Sequence, residues 1–519
     1  LSEWKQYLTE HNITVYYQLD TPVEEVIPDD LLPKLKELKT FEGLNTFVQF
    51  NAKPIYPTVE IEYVKDLQDT LQRIKSQYDI NLGLNSIDDD CVGLEVDYEN
   101  SKFTRLAGAV GLNGGDDFDK FPTYGGRKRC NVANDGKVNA YYGDSTFRWD
   151  GANGQVMVEQ PKFYYLVVPL KTKPIGDEVG GNHLLKAQYY VSDTPRPGFK
   201  LHPAFINEDG DEVDYIYIGA FEAVTYDKSS YRYNLDDSQT VDFDNDLLSS
   251  RVDGLPTSGL SQALTLDNCE KLAKNRGKGW HSTSIKDIAV DQLLMIIEYG
   301  SIQTQQNISM GVSNLSDDYK SNLSLYTGST NTLGNKTGNA TRSYNKIDGT
   351  ITYYTDVGKV SFSYRGVENF YGNIWKFIQG LTNAGVPPVG AIGHNEAGVP
   401  YIATDFNYVM AKRYENYKPV SFAMGNQLQG TWGVCPGYDE YFDWLFIFSS
   451  FATSANYSSS RDVYNRINFM YFDSTSIFGG YLNKGHDNGA FSMTTTYVAN
   501  AKNRTVGTRL VYIPPTTFE

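Results

Sequence analysis

Cysteine is scarce in this sequence. There are four in 519 residues, at Cys91, Cys130, Cys269 and Cys435, and no two of them form a Cys-x-x-Cys pair. That spacing excludes a disulfide framework and a cysteine-built zinc site. Positive charge is short as well: 46 Lys and Arg stand against 63 Asp and Glu, a formal net charge of −17. This balance speaks against binding nucleic acid or an anionic membrane by charge, and leaves a neutral or cationic sugar polymer open as a target. No run of about 18 apolar residues occurs, so no segment reads as a membrane-crossing helix. No signal-peptide pattern opens the sequence at Leu1, and no compartment follows from that. Tryptophan is rare, at 6 residues.

Tyrosine is abundant, with 39 residues in a chain that is 40% hydrophobic and 14% aromatic. A chain of this length and composition can bury several cores and form about three domains. Tyrosine populates half-exposed strands. It also gives binding surfaces a large rigid contact with a hydroxyl at low entropic cost.

Organisation follows from the periodicities. Thr46–Phe50 and Thr58–Tyr63 read as strands. Val64, Leu67, Leu71, Ile74 and Tyr78 then fall on a heptad seam. The segment is either an amphipathic helix packed on its own domain or a short parallel coiled coil that would trimerise the protein. Residues 91–214 are strand-rich, with Val92–Tyr98, Gln160–Pro169 and Tyr189–Ser192 as strands and Asn207–Glu212 as a turn. Asp214–Val224 alternates through Tyr215, Tyr217 and Phe221. Two helices follow. The first has Cys269, Leu272 and Ala273 on one face, with Asp267 as N-cap and Gly277 as stop. The second runs from a Ser284 cap to about Tyr299 and ends at Gly300, with Ile285, Ile288, Leu293, Ile296 and Ile297 as its apolar face. Residues 313–349 are rich in Ser, Asn, Thr and Gly, and read as a polar surface insertion.

Catalytic and metal chemistry find little support. Asp439, Glu440 and Asp443 cluster, as the paired acids of a glycosidase must, but acids beside an aromatic strand usually serve turns. His281, His394 and His486 stand far apart, in no triad order. Asp116, Asp117 and Asp119 form one acidic run, Asn207, Asp209 and Asp211 a second, Asp242, Asp244 and Asp246 a third. None matches a calcium loop with its closing Glu. No catalytic residue, metal or cofactor is assigned.

Two segments carry a resemblance. One is Ser361–Gly380, with its aromatics around Gly372-Asn373-Ile374-Trp375. The other is Gly507–Pro514, an alternating strand expected to close a sheet beside the first; Asp443-Trp444 adds to them. Together they resemble the C-type-lectin-like fold in the variant shared by formylglycine-generating enzymes and bacteriophage tail receptor-binding proteins. The resemblance implies a multidomain, β-rich α+β protein. A connector would span residues 1–90 with a short helix at 64–79, a β-rich shoulder 91–214, and a lectin-like head 215–519. No cysteine lies between Gly479 and Arg509, where the oxidase of the family needs a pair, so that activity is not implied.

The resemblance also implies roles. Arg365 and Glu368 would form an internal polar link and Gly372 and Asn373 a turn. Trp375, with Tyr364, Phe370 and Phe377, would be core, and Arg509 structural. Ligand contacts in the family come from the segment between a Gly-Gly turn and the closing strand. Here that segment offers Tyr481, Asn483, Lys484, His486, Asp487, Asn488, Phe491 and Tyr497. Asn456, Tyr457 and Arg461 form a second stretch of similar composition. The implied function is adsorption from a phage tail tip to a bacterial surface glycan or protein, without catalysis. The implied partners are other tail or baseplate proteins and two further copies in a trimer, with no nucleic acid and no membrane insertion. A tail depolymerase and a purely structural fibre protein are the alternatives.

Overall fold

Ser284 and Gly300 bracket a helix, Ile285–Tyr299. Ser284 and Asp287 cap each other's backbone, the Ser284 amide donating to Asp287 Oδ2 at 2.9 Å. Gly300 ends the helix in the left-handed region, φ 60°. The periodicity predicts one apolar face for this helix, yet of its residues only Lys286 and Tyr299 are not buried. It packs against the strands Cys91–Asp97, Asn182–Ser192 and Trp375–Ala384, which leaves no side for solvent. The preceding helix, Leu266–Lys274, starts two residues earlier than expected. Its cap is Thr265, whose hydroxyl accepts the Asn268 amide, and Asp267 lies inside the first turn.

The computed structural model describes residues 90–516, apart from 176–179, 234–239, 260–261, 316–323, 348–349, 385–398, 409–415, 423–431, 453–464, 467–473, 499 and 501. The heptad segment and the strands before it lie outside these residues, as do Asn456, Tyr457 and Arg461 and the side chain of Tyr497. The described part is mostly β-sheet with few helices and belongs to one compact unit, Gly83–Glu519.

Three larger sheets surround the central helix. One runs, all antiparallel, in the order Trp280–Ser282, Arg509–Tyr512, Tyr215–Glu222, Gln155–Pro161, Lys128–Val132, Val138–Tyr141. Strands on both sides of residue 215 therefore share a sheet. A second sheet joins Cys91–Asp97 and Asn182–Ser192 to Trp432–Tyr438 and Phe448–Ala452. The third holds Trp375–Ala384 between Val399–Ala403 and Ser474–Phe478, with Met493–Val498 beyond. The closing strand does seal a sheet, though not beside the Trp375 strand. Val506–Gly507 pairs with Trp375 and Lys376, and the chain then crosses to place Arg509–Tyr512 beside Tyr215–Glu222.

The segment around Trp375 is buried as expected: Tyr364, Phe370, Trp375 and Phe377 are all within 5% exposure. Gly372 and Asn373 are both left-handed, φ 78° and 61°. A Cβ on Gly372 would stand 2.8 Å from the Val312 carbonyl oxygen, so glycine is required there. The Asn373 Nδ2 donates to Glu222, while its Oδ1 accepts the Leu325 amide at 2.7 Å. Arg509 holds the closing strand in place through Gly219 O at 2.7 Å and Asn369 O at 3.1 Å.

Arg365 and Glu368 do not link to each other. Arg365, left-handed at φ 44°, sends its guanidinium to Glu298 on the central helix, with Nε and Nη2 each at 2.8 Å, and to Asp119 at 2.7 Å. Glu368 instead accepts the amides of Gly328 and Thr330, at 2.8 and 2.7 Å. Burial pushes the Glu368 carboxyl up, and those amides oppose the shift. Its partners lie in the segment expected to be a polar surface insertion. Leu325, Thr327, Thr330 and Ser343 there are buried, and Gly338–Asn339 pairs with Phe362–Tyr364. The polar composition of that segment serves buried acceptors and donors, as well as solvent.

The same interior holds further charge. Arg127 pairs with Asp291 on the central helix. Lys376 Nζ lies 2.9 Å from Glu222 and 2.9 Å from the Gly372 carbonyl oxygen, and burial pulls its pKa down to about 8. Burial also pushes Asp287 up to about 7. Both line a cavity of about 10 Å³, together with Thr283, Asp291 and Arg509. That is room for about one water.

Candidate recognition site

The turn joining Ser474–Phe478 to Met493–Val498 begins at Gly479 and Gly480, left-handed at φ 91° and 82°. A Cβ on Gly480 would lie 1.7 Å from Asn488 Oδ1. Asn488 can therefore fold under the turn, where its Nδ2 donates to the Tyr481 carbonyl at 3.0 Å. The backbone that follows is tied to the rest of the protein at close intervals. Gly372 N donates to Gly479 O at 2.8 Å, and Leu482 N to Asn373 O at 3.1 Å. Leu315 N donates to Leu482 O at 2.9 Å, and Gly485 N to Ser313 O at 2.8 Å. Gln305 Nε2 reaches Gly485 O at 2.9 Å. Leu482 is buried against Val312, Leu315 and Leu325. The Gly-Asn-Ile-Trp turn and the start of the polar insertion thus form the floor on which this loop is pinned.

The pinned backbone displays a mixed set of side chains. His486 is exposed, and Tyr481, Asn483, Lys484 and Asp487 are partly exposed. Lys484 Nζ stands 5.8 Å from the centre of the Tyr481 ring. These five are brought together on one short loop that includes the tight turn Gly485–Asp487. Two expected members are not part of the display. Asn488 is 0% exposed and holds the turn; Phe491 is 1% exposed and packs edge-on to Phe446 at 5.3 Å. An aromatic ring with a cation, an amide, an imidazole and a carboxylate on a fixed backbone can stack on the C–H face of a sugar and bond its hydroxyls. It can equally meet a protein surface.

The clustered acids have structural partners. Asp439 accepts the amides of Ser421, Tyr441 and Phe442 at 2.6, 2.8 and 3.0 Å, and so caps a turn. Asp443 accepts the Tyr165 hydroxyl at 2.6 Å and Lys200 Nζ at 2.8 Å. Burial raises the Asp443 pKa against the pull of Lys200. Asn207 Oδ1 accepts the amides of Asp209 and Asp211 at 3.0 and 2.9 Å, the expected turn. Among the described residues no three His, Cys, Asp or Glu side chains are grouped to hold a metal ion.

No family model matches the chain, and no curated protein does. Among solved structures, a chain described as "Major Tropism Determinant U1 Variant" aligns over 78% of this chain and 73% of its own, at 11% identity and a TM-score of 0.24. "Major Tropism Determinant M1 Variant" aligns over 80% and 75%, at 10% identity and a TM-score of 0.23.

Proposed function

We propose that this chain is a receptor-binding protein of a bacteriophage or prophage tail. Its C-terminal part would be a lectin-like head that adsorbs to a bacterial surface glycan or protein without making or breaking a bond. The observation that carries the reading is the loop Tyr481–Asp487: a backbone anchored at close intervals to buried strands and turns, with His486 exposed and Tyr481, Asn483, Lys484 and Asp487 partly exposed beside it. The resemblance of Ser361–Gly380 and Gly507–Pro514 to the lectin-like tail family supports it from the sequence. The non-catalytic form is supported by the engagement of Asp439 and Asp443 with turn amides, Tyr165 and Lys200. Residues 1–90 would attach to the tail, and the protein would work as a trimer in the virion.

The test is binding of the fluorescently labelled full chain to a panel of Gram-positive cells and their extracted wall glycans. Strain-selective binding that Tyr481→Ala or His486→Ala abolishes is the expected result. A folded chain that binds no strain, while phage carrying it adsorbs, would overturn the assignment. Release of reducing ends from purified wall polymer, stopped by Asp443→Asn, would assign a depolymerase instead.

A further inference from the structure

The strands Ser343–Ile347 and Thr350–Tyr354 form a hairpin that sets Tyr344 opposite Tyr353 and Lys346 opposite Ile351. Opposed residues in an antiparallel pair lie on one face, and residues two apart along a strand share it. Ser343 and Asn345 are buried, at 0% and 2% exposure, so the alternate positions face outward. That outward face holds Tyr344, Lys346, Ile351 and Tyr353, and Arg342 continues it. Tyr353 is 55% exposed. Beneath it the rings are ordered: Tyr344 stacks on the buried Tyr326 at 5.2 Å and 24°, and its hydroxyl donates to Asp253 at 2.7 Å.

Two cations stand over these rings. Arg342 lies 5.0 Å from the Tyr353 ring centre, and Lys346 lies 4.9 Å from Tyr326 and 5.9 Å from Tyr344. Among the described residues no carboxylate pairs with either, although the chain carries 17 negative charges in excess and pairs other exposed lysines such as Lys171 and Lys278. An exposed tyrosine flanked by these two cations complements a flat ring that bears an anion. We propose that this face of the hairpin is a second binding site, for an acidic saccharide whose sugar ring carries a carboxylate or a phosphate. The sugar C–H face stacks on Tyr353. The anion meets the planar guanidinium of Arg342, which binds both groups bidentately, with Lys346 as a further point charge. The site extends the receptor-binding reading to another surface and does not use the loop Tyr481–Asp487.

The test titrates the full chain with a galacturonate tetramer, with the methyl ester of that tetramer, and with a glucose tetramer bearing a phosphate. Binding of at least one charged oligomer is expected, weakening as salt is raised. Tyr353→Ala and Arg342→Gln should each weaken it about tenfold, equivalent to about 1.4 kcal/mol. Tyr481→Ala should leave it unchanged, which separates failure here from failure of the cell-binding reading. Which charged oligomer binds distinguishes carboxylate from phosphate. The inference is overturned if neither charged oligomer binds, if the methyl ester binds as tightly, or if both hairpin variants bind as wild type does. Equal affinity for a thymidine tetranucleotide would assign the face to nucleic acid. Loss of an oligomeric state in Tyr353→Ala would assign it to a second copy of the chain.

Discussion

The interior around the central helix and the loop Tyr481–Asp487 are both rich in polar groups, and they use them in opposite ways. In the interior the side chains supply the bonds: Glu298, Arg365, Glu368, Asn373 and Arg509 are all engaged over long sequence distances. In the loop the main chain supplies them, through Gly479, Leu482 and Gly485, while the His486 side chain is exposed. A charge taken from water must be matched where it lies. A side chain on a backbone already held in place can change without loosening the fold. The first region therefore sets the structure, and the second is where sequence can vary at little cost.

Substitutions at the two ends of this contrast should differ most. Arg365→Ala leaves Glu298 buried without its partner and should cost about 3–5 kcal/mol, seen as a lower urea midpoint. A loss below about 1 kcal/mol would break the contrast. Gly372→Ala forces a Cβ into a left-handed position against Val312 O and should cost about 1–3 kcal/mol by the same measurement. A pH series sharpens the picture of the interior. The folded pKa of Asp287, about 7, lies above the ordinary aspartate value of 3.8, so the folded protein holds this proton more tightly. Its contribution is fully favourable below that lower value and is lost as pH rises through about 7, by up to about 1.4 kcal/mol per pH unit. Asp287→Asn should remove that part of the slope between pH 4 and 7; an unchanged slope would refute the assignment. At the other end, His486→Ala should shift stability by no more than about 0.5 kcal/mol while abolishing cell binding. A large unfolding shift would show that the loop's side chains are structural after all.

Local signals in the sequence were legible and distant partnerships were not. The cap at Ser284, the stop at Gly300 and the buried aromatics around Trp375 each follow from a few adjacent residues, and each is found. Arg365 and Glu368 were expected to link to each other, but the partner of Arg365 on the central helix is 67 residues away. The polar run 313–349 looked like surface because composition does not reveal that its amides would serve Glu368 and Asn373. The strands Ser343–Ile347 and Thr350–Tyr354 at its end carry a local signal, since both contain tyrosine and β-branched residues. On the candidate loop, Tyr481 to Asp487 came from the resemblance, which marks the segment after the Gly-Gly turn. The burial of Asn488 and Phe491 could not be read in this way, because it depends on how the turn at Gly480 and the segment bearing Phe446 approach.

The place of Arg509–Tyr512 between Tyr215–Glu222 and Trp280–Ser282 has a consequence during synthesis. Arg509 meets Gly219 across 290 residues of chain. At about 5–20 residues per second, the ribosome needs about 15 to 60 s to make the strand that fills this gap. Until then the edge of Tyr215–Glu222 that this strand covers has no native partner in the nascent chain, and an unpaired strand edge invites mispairing with neighbouring chains.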